Sequence, residues 1–317
     1  MNDTAIKHAQ PRGGRFFRDN LFVLICLFAA GVCIATLGVL LASILIQGVE
    51  HLDGRLLSNP PSRKPDKAGI YPAMIGTIYI CSVCAFTAIP LGIGTAVLLE
   101  EFKPGNRTLA RLHGFVQLNI TNLAGVPSVV YGILGLTAFV EMFKLLGNAG
   151  DPIWTLGTTD NWYYVQLPFG RGVLAGGLTL MLVVLPIIII SSQEALRAVP
   201  NSLRHGALAL GATRCQMVWN TTLPAAIPGI MTGTILAMSR AIGEAAPILI
   251  IAGIVYITFT PDHLMDDFTA MPLQIYDWAG RPQEAFHRVA ASGILVLMAI
   301  LLTFNAAAVI IRQKFQR

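Results

Sequence analysis

Charge is scarce in this chain. Only 12% of its 317 residues are Asp, Glu, Lys or Arg, whereas 54% are hydrophobic and the mean hydropathy is +0.64. A soluble domain carries about twice that share of charge, so the composition describes an integral membrane protein. A disulfide framework is also missing, because the cysteines number five, an odd count. Cys26 and Cys33 fall in the first apolar segment, and Cys81 and Cys84 in the second. Cys81-x-x-Cys84 has no His or acidic neighbour inside its apolar run, which assigns it to packing rather than to redox or metal chemistry. No G-x-x-x-x-G-K-[S/T] phosphate loop occurs, so if ATP powers this chain, its hydrolysis must happen on another one. No His/acid cluster has catalytic or metal spacing; His51 and His205 stand alone, which leaves a membrane enzyme little support. The net charge of +5 comes without an aromatic-and-basic face, so it points to membrane topology and not to nucleic acid.

What is present in quantity is apolar sequence of spanning length, for which roughly 20 residues suffice. Residues 1–20 are polar and carry Lys7, Arg12, Arg15 and Arg18. Leu21 to Gln47 follows as a first span, too long for a cleaved signal core and with no A-x-A site after it. Gly48 to Pro72 is a Pro-, Ser- and charge-rich surface connection. The second span runs from Tyr71 to Leu99 and ends in Glu100-Glu101-Phe102-Lys103. The third covers Gln117 to Phe143, and a polar loop after it holds Trp154, Trp162, Tyr163 and Tyr164, residues favoured at a membrane interface. The fourth is Gly172 to Ile190, the fifth Ala225 to Ile254 and the sixth Val289 to Ile311. An aspartate-bearing loop with Asp262, Asp266, Asp267 and Asp277 separates the last two. Six spans put both termini on one side. The four segments on that side hold 13 of the Lys and Arg residues and the other three hold 8, which places the termini and the 191–224 segment in the cytoplasm.

That segment, Ser191 to Pro224, reads SSQEALRAVPNSLRHGALALGATRCQMVWNTTLP and is too long for an idle loop. Pro200 suits a first helical turn. Asn201 to Leu210 reads as a helix with Leu203, Ala207, Leu208 and Leu210 as apolar positions. Gly211 stands where a helix needs a left-handed stop. Thr213 to Gln216 has the spacing of a capping box and opens a second helix with Met217, Val218 and Trp219, which Leu223-Pro224 closes.

Two passages could meet a substrate. Arg240 and Glu244 lie one helical turn apart inside the fifth span, where an unpaired charge costs several kcal/mol, roughly, by the lower scales. One reading has Arg240 offering its fork of donors to an oxyanion while Glu244 holds or releases it; the other is a structural ion pair. Pro247 breaks the helix beyond Glu244. Gly229 and Gly233 have the spacing that lets helices approach closely. In the third span, Pro127 between Gly125 and Gly132 should kink or interrupt the helix, with Asn122, Ser128 and Tyr131 bringing polar groups to that depth. Such a passage either lines a substrate path or is plain kinked packing.

The 191–224 segment resembles the cytoplasmic loop of ABC importer permeases, whose signature is E-A-A, three residues, G, nine residues and I-x-L-P. Anchored on Leu223-Pro224, the signature glycine is Gly211, Thr221 takes the isoleucine position, and His205-Gly206-Ala207 takes E-A-A, with His205 in place of the acid. AGVPSVVYG at 124–132, ALALGAT within the loop, SRAIGEAAPILIIAG at 239–253 and the 75–102 passage together resemble the permeases of the phosphate-specific ABC importer, the GEAAP at 243–247 being more like the PstA-type subunit than its PstC-type sister. The resemblance implies an all-α, six-helix, type I ABC importer permease with a cytoplasmic segment at 1–20, a permease domain at 21–311 and a cytoplasmic tail at 312–317. It implies a substrate path touching Arg240, Glu244, Ser128, Tyr131 and Asn122. It implies coupling to an ATPase through Leu203, His205, Ala207, Leu208, Gly211 and Thr213. The chain itself is expected to be no enzyme and to carry no cofactor or metal, ATP and Mg being held by the ATPase. The implied partners are a PstC-type sister permease, an ATPase dimer, a periplasmic phosphate-binding protein and membrane lipid, in the inner membrane of a bacterium. The alternatives are another oxyanion, sulfate or molybdate, and a self-sufficient secondary transporter or channel. Against the latter stand the dedicated inner loop and the lack of matching broken segments in two halves.

Overall fold

The computed structural model describes residues 13–142, 154–158, 161, 164–167, 169–253 and 256–315. Among the described residues, five helices are long and apolar enough to cross a membrane: α1 (Gly13–Val49), α2 (Tyr71–Glu101), α5 (Val173–Arg197), the run from Arg214 to Gly243, and α11 (Glu284–Phe315). The sixth candidate is a bent pair, either a broken span or a re-entrant loop: α3 (Arg107–Leu123) and α4 (Ser128–Gly135) with its π-helical continuation Leu136–Glu141. The two halves meet at 113°. The expected third span from Gln117 to Phe143 is therefore corrected. Its first half starts at Arg107, and the chain turns sharply at 124–127. Arg107, Arg111, His113, Gln117, Asn119 and Asn122 make α3 amphipathic, so it is not suited to a straight crossing, and Pro127 ends helical pairing at the turn. Phe143, Trp162 and Tyr163 lie outside the described residues.

Other boundaries also move. The fourth span continues past Ile190 to Arg197, as helix α5. Beyond it, α6 (Asn201–Ala209) and α7 (Arg214–Met217) form the helix pair around Gly211. Leu223-Pro224 does not close a helix: α7 passes through the π-helical turn Val218–Thr222 into α8 (Leu223–Gly243), with Pro224 in its first turn, where its missing N–H does no harm. The fifth span stops at Gly243, and α9 (Ala246–Ala252) begins just after. Pro247 thus opens a helix instead of breaking one, and the break lies at Glu244 itself.

The first and last of the far connections, opposite the 191–224 end, are folded. In the first, the helical turn Gly54–Ser58 buries Leu56, whose carbonyl accepts from Ile70 N at 2.8 Å. In the last, α10 (Met271–Ala279) buries Met271 and Trp278 in the same cluster as Ile70 and Phe286. Between α4 and α5, β1 (Trp154–Leu156) pairs antiparallel with β2 (Val165–Leu167). The central packing is α2 against α5, where Gly92 meets Ile188 and Gly177 meets Val83. Gly229 and Gly233 do bring α8 close to α5, at Ala195 and Ser191. Cys84 is buried in the main core and Cys81 packs against it, both as free thiols. Helix α1 is exposed over 19–40 and meets the bundle towards its far end. Gly48 sits against Ala291 of α11, and its carbonyl accepts from Ser292 Oγ at 2.7 Å.

Candidate coupling loop and broken helices

Helix α6 buries none of its residues, yet it is held firmly. Arg204 points back from it to Glu101 at the end of α2, with Nη2 2.7 Å from Oε1; the two side chains are only 15% and 6% exposed. The same guanidinium donates to the carbonyls of Leu196 and Val199 and to Asn201 Oδ1. Next to it, Arg197 joins Glu100 at 2.9 Å and Glu194 at 3.0 Å. Sequence reasoning missed these groups. The signal was there, in two adjacent acids at the end of one span and two arginines at i, i+7 in the loop.

Gly211 adopts φ +86°, and its N–H donates to the Leu208 carbonyl while Ala212 N donates to that of Ala207. These bonds satisfy carbonyls that the helix end would otherwise leave open. Thr213 Oγ1 accepts from Gln216 N, and Gln216 Oε1 accepts from Thr213 N at 2.9 Å, completing the capping box. This corner therefore presents Leu203, Leu208, Leu210 and Trp219 outward, with Leu210 92% exposed, while His205 is exposed beside them and Ala207 half-buried. A rigid, apolar, unfilled surface at a helix corner suits a protein partner. Gly211→Val is expected to loosen the corner by about 1–2 kcal/mol, since a side chain at positive φ strains the backbone. No neighbour lies within 4 Å of the added Cβ, so the effect comes from the backbone alone. Faster trypsin cleavage at Arg204 and Arg214 reports it, and unchanged cleavage would remove the role given to the glycine.

The second candidate region joins two helix breaks, the turn at 124–127 and the one at Glu244. Arg240 Nε donates to Glu244 Oε1 at 2.9 Å, although Glu244 has left the helix with ψ 115°. Glu244 is 12% exposed and Arg240 56%. Neither Nη of Arg240 has a hydrogen-bond partner among the described residues. One residue back, Ser239 is hydrogen-bonded to Asn305 of α11, which places the arginine level with the interior of the last span. The other break lies near, because α4 packs on α9: the hydrogen face of Gly132 meets Pro247. Any side chain there would collide with the Pro247 backbone.

The polar residues expected along the third span divide. Tyr131 is buried, and its hydroxyl donates to the Leu123 carbonyl at 2.7 Å, closing the turn between α3 and α4. That places its side chain in the joint rather than in an open path, because the carbonyl freed by the break has to be satisfied. Ser128 opens α4 and is half-buried, and Asn122 is exposed near the end of α3.

Comparison with known proteins agrees with this architecture. The family model described as "Binding-protein-dependent transport system inner membrane component" matches residues 88–317. Among curated proteins, the probable ABC transporter permease protein YqgH of Bacillus subtilis is 35% identical over 262 residues, 80% of this chain and 76% of its own. The phosphate transport system permease protein PstA 1 of Mycobacterium tuberculosis H37Rv is 31% identical, covering 77% and 70%. The phosphate transport system permease protein PstC of Xylella fastidiosa is 29% identical, covering 98% and 96%. Among solved structures, a bacterial alginate ABC transporter chain superposes with TM-score 0.63 at 14% identity, covering 94% of this chain and 96% of that one. With five crossing helices, one bent helix pair and an outward helix corner before the fifth span, the chain belongs to the binding-protein-dependent transport system inner membrane components, as the permease subunit of an ABC importer with the type I fold.

Proposed function

We propose that this permease carries phosphate across the inner membrane of a bacterium as the PstA-type half of an ATP-driven importer. The observation that carries the proposal is Arg240, a guanidinium with both Nη groups unengaged among the described residues and set inside a candidate span, in a chain whose relatives are named phosphate permeases. A planar fork of donors binds two oxygens of a tetrahedral anion at once. Glu244 holds that fork from behind through Nε, which leaves the outer edge for the anion. The exposed charge of Arg240 would be costly against lipid, so a sister permease of PstC type covers that face and completes the path. Ser128 and Asn122 border the same path at the other break.

At the opposite end, Leu203, Leu208, Gly211 and Thr213, with His205 and Ala207, present the corner that seats an ATPase dimer. That dimer holds ATP and Mg, and both termini of this chain lie on its cytoplasmic side. A phosphate-binding protein delivers cargo from the periplasm. The test is uptake of labelled phosphate at micromolar concentration by cells lacking this gene, with and without its restoration, with sulfate and molybdate as competitors. Uptake that requires the gene and ignores the competitors is expected. Uptake suppressed by sulfate or molybdate transfers the assignment to that oxyanion.

A further inference from the structure

Gln193 is a deeply buried polar side chain at the loop end of α5, at 2% exposure. Its amide faces that of Gln117 on α3, and the two exchange hydrogen bonds. Gln117 Nε2 donates to Gln193 Oε1 at 3.1 Å, and Gln193 Nε2 donates to Gln117 Oε1 at 2.7 Å. Around them the contact is apolar, with Val116 and Ile120 from α3 and Ile189 and Leu196 from α5 in one cluster. An apolar pair would fill such a site with less demand on geometry. A reciprocal amide pair fixes register as well as distance, since Gln193 left alone would be buried and unsatisfied, and Gln117 is half-buried beside it.

The pair occupies a connecting position. Towards the loop, Arg204 ties α6 to the carbonyls of Leu196 and Val199, one to two turns beyond Gln193. Away from it, α3 ends at Leu123, whose carbonyl is held by Tyr131 of α4. Helix α4 in turn meets α9 at Gly132 and Pro247, directly after Glu244. Four named contacts thus run from the partner-facing corner to the Arg240–Glu244 pair. The joint between α5 and α3 is the one made by a double hydrogen bond between side chains.

We propose that the Gln117–Gln193 amide pair is a positioning joint: it holds α3 rigidly to the end of α5, so that displacement of the 201–217 corner moves the break at 124–127. The proposal rests on the reading of that corner as the ATPase seat, and not on the identity of the cargo. Both glutamines are expected to act as one unit.

The test uses the assembled complex with its ATPase in lipid vesicles. Gln117→Leu, Gln193→Leu and the double variant are compared with the parent, each first checked for assembly by copurification of the ATPase. One arm reads phosphate imported per ATP hydrolysed, which is expected to fall about tenfold in each single variant. The double variant is expected to be no worse than either single one, as for residues that act through each other. A second arm needs no cargo. Gly125→Cys, at the break and exposed on this chain, is placed in a background whose five native cysteines are replaced by serine and labelled with a membrane-impermeant maleimide with and without nucleotide. The parent is expected to change its labelling rate on nucleotide binding and the leucine variants to lose that response. If the parent fails to import phosphate but keeps the labelling response, the cargo assignment falls and the joint stands. Multiplicative losses in the double variant, variants that keep the response, or a parent without any response would each overturn the joint.

Discussion

Arg240→Gln is expected to abolish transport while leaving the complex assembled. Glutamine keeps much of the length and one donor group but loses the charge and the fork. Charge-assisted hydrogen bonds contribute about 1.5–3 kcal/mol each, so losing a bidentate pair lowers uptake about a hundredfold or more. Folding should survive, because the arginine is 56% exposed and its one partner, Glu244, retains an amide donor within reach. Uptake and copurification of the sister chain and ATPase are measured together. Normal uptake would return Arg240–Glu244 to the structural ion pair that the sequence left open. Lost uptake with lost assembly would show that the pair holds the break together, not the anion.

Arg204→Ala carries the second large effect, at the other end of the bundle. Glu101, 6% exposed in the intact pair, would lose its counter-charge, and the carbonyls of Leu196 and Val199 would lose their donor. Breaking a pair this buried costs about 3 kcal/mol. The change should release α6 from the ends of α2 and α5 without touching the spans. The expected result is a folded, membrane-inserted permease that no longer retains the ATPase. Arg204→Lys should recover little, since one ammonium cannot serve a carboxylate and two carbonyls in the planar arrangement that the guanidinium reaches. Full retention of ATPase by the alanine variant would mean that the corner stands on its helix cap alone.

The class of the protein was legible because lipid imposes a coarse demand. Uninterrupted apolar runs and the bias of basic residues name spans whatever their packing. The Gly211 corner was legible for another reason. Its left-handed stop and its capping box are local, set by neighbours within five residues. The bent span was harder to read: Gly125 and Pro127 announced a break, but an angle of 113° depends on where α3 finds an apolar surface. Likewise Pro247 pointed to a break near Glu244, and only packing of α9 against Gly132 placed the break at Glu244 itself.

By itself, then, the sequence determined a six-span importer permease with a helix–glycine–helix corner and one charged pair in a span. Hydrophobicity and charge bias marked the spans and short-range capping marked the corner, whereas the importer reading came from the resemblance of the 191–224, 124–132 and 239–253 passages to known permeases. The tertiary structure decided which groups meet across the chain. It set Arg204 on Glu101, Gln193 on Gln117, Tyr131 on the Leu123 carbonyl and Gly132 on Pro247. Partners separated by 103 and 76 residues leave no periodic trace, because their meeting depends on how whole helices pack and not on the spacing within any one of them.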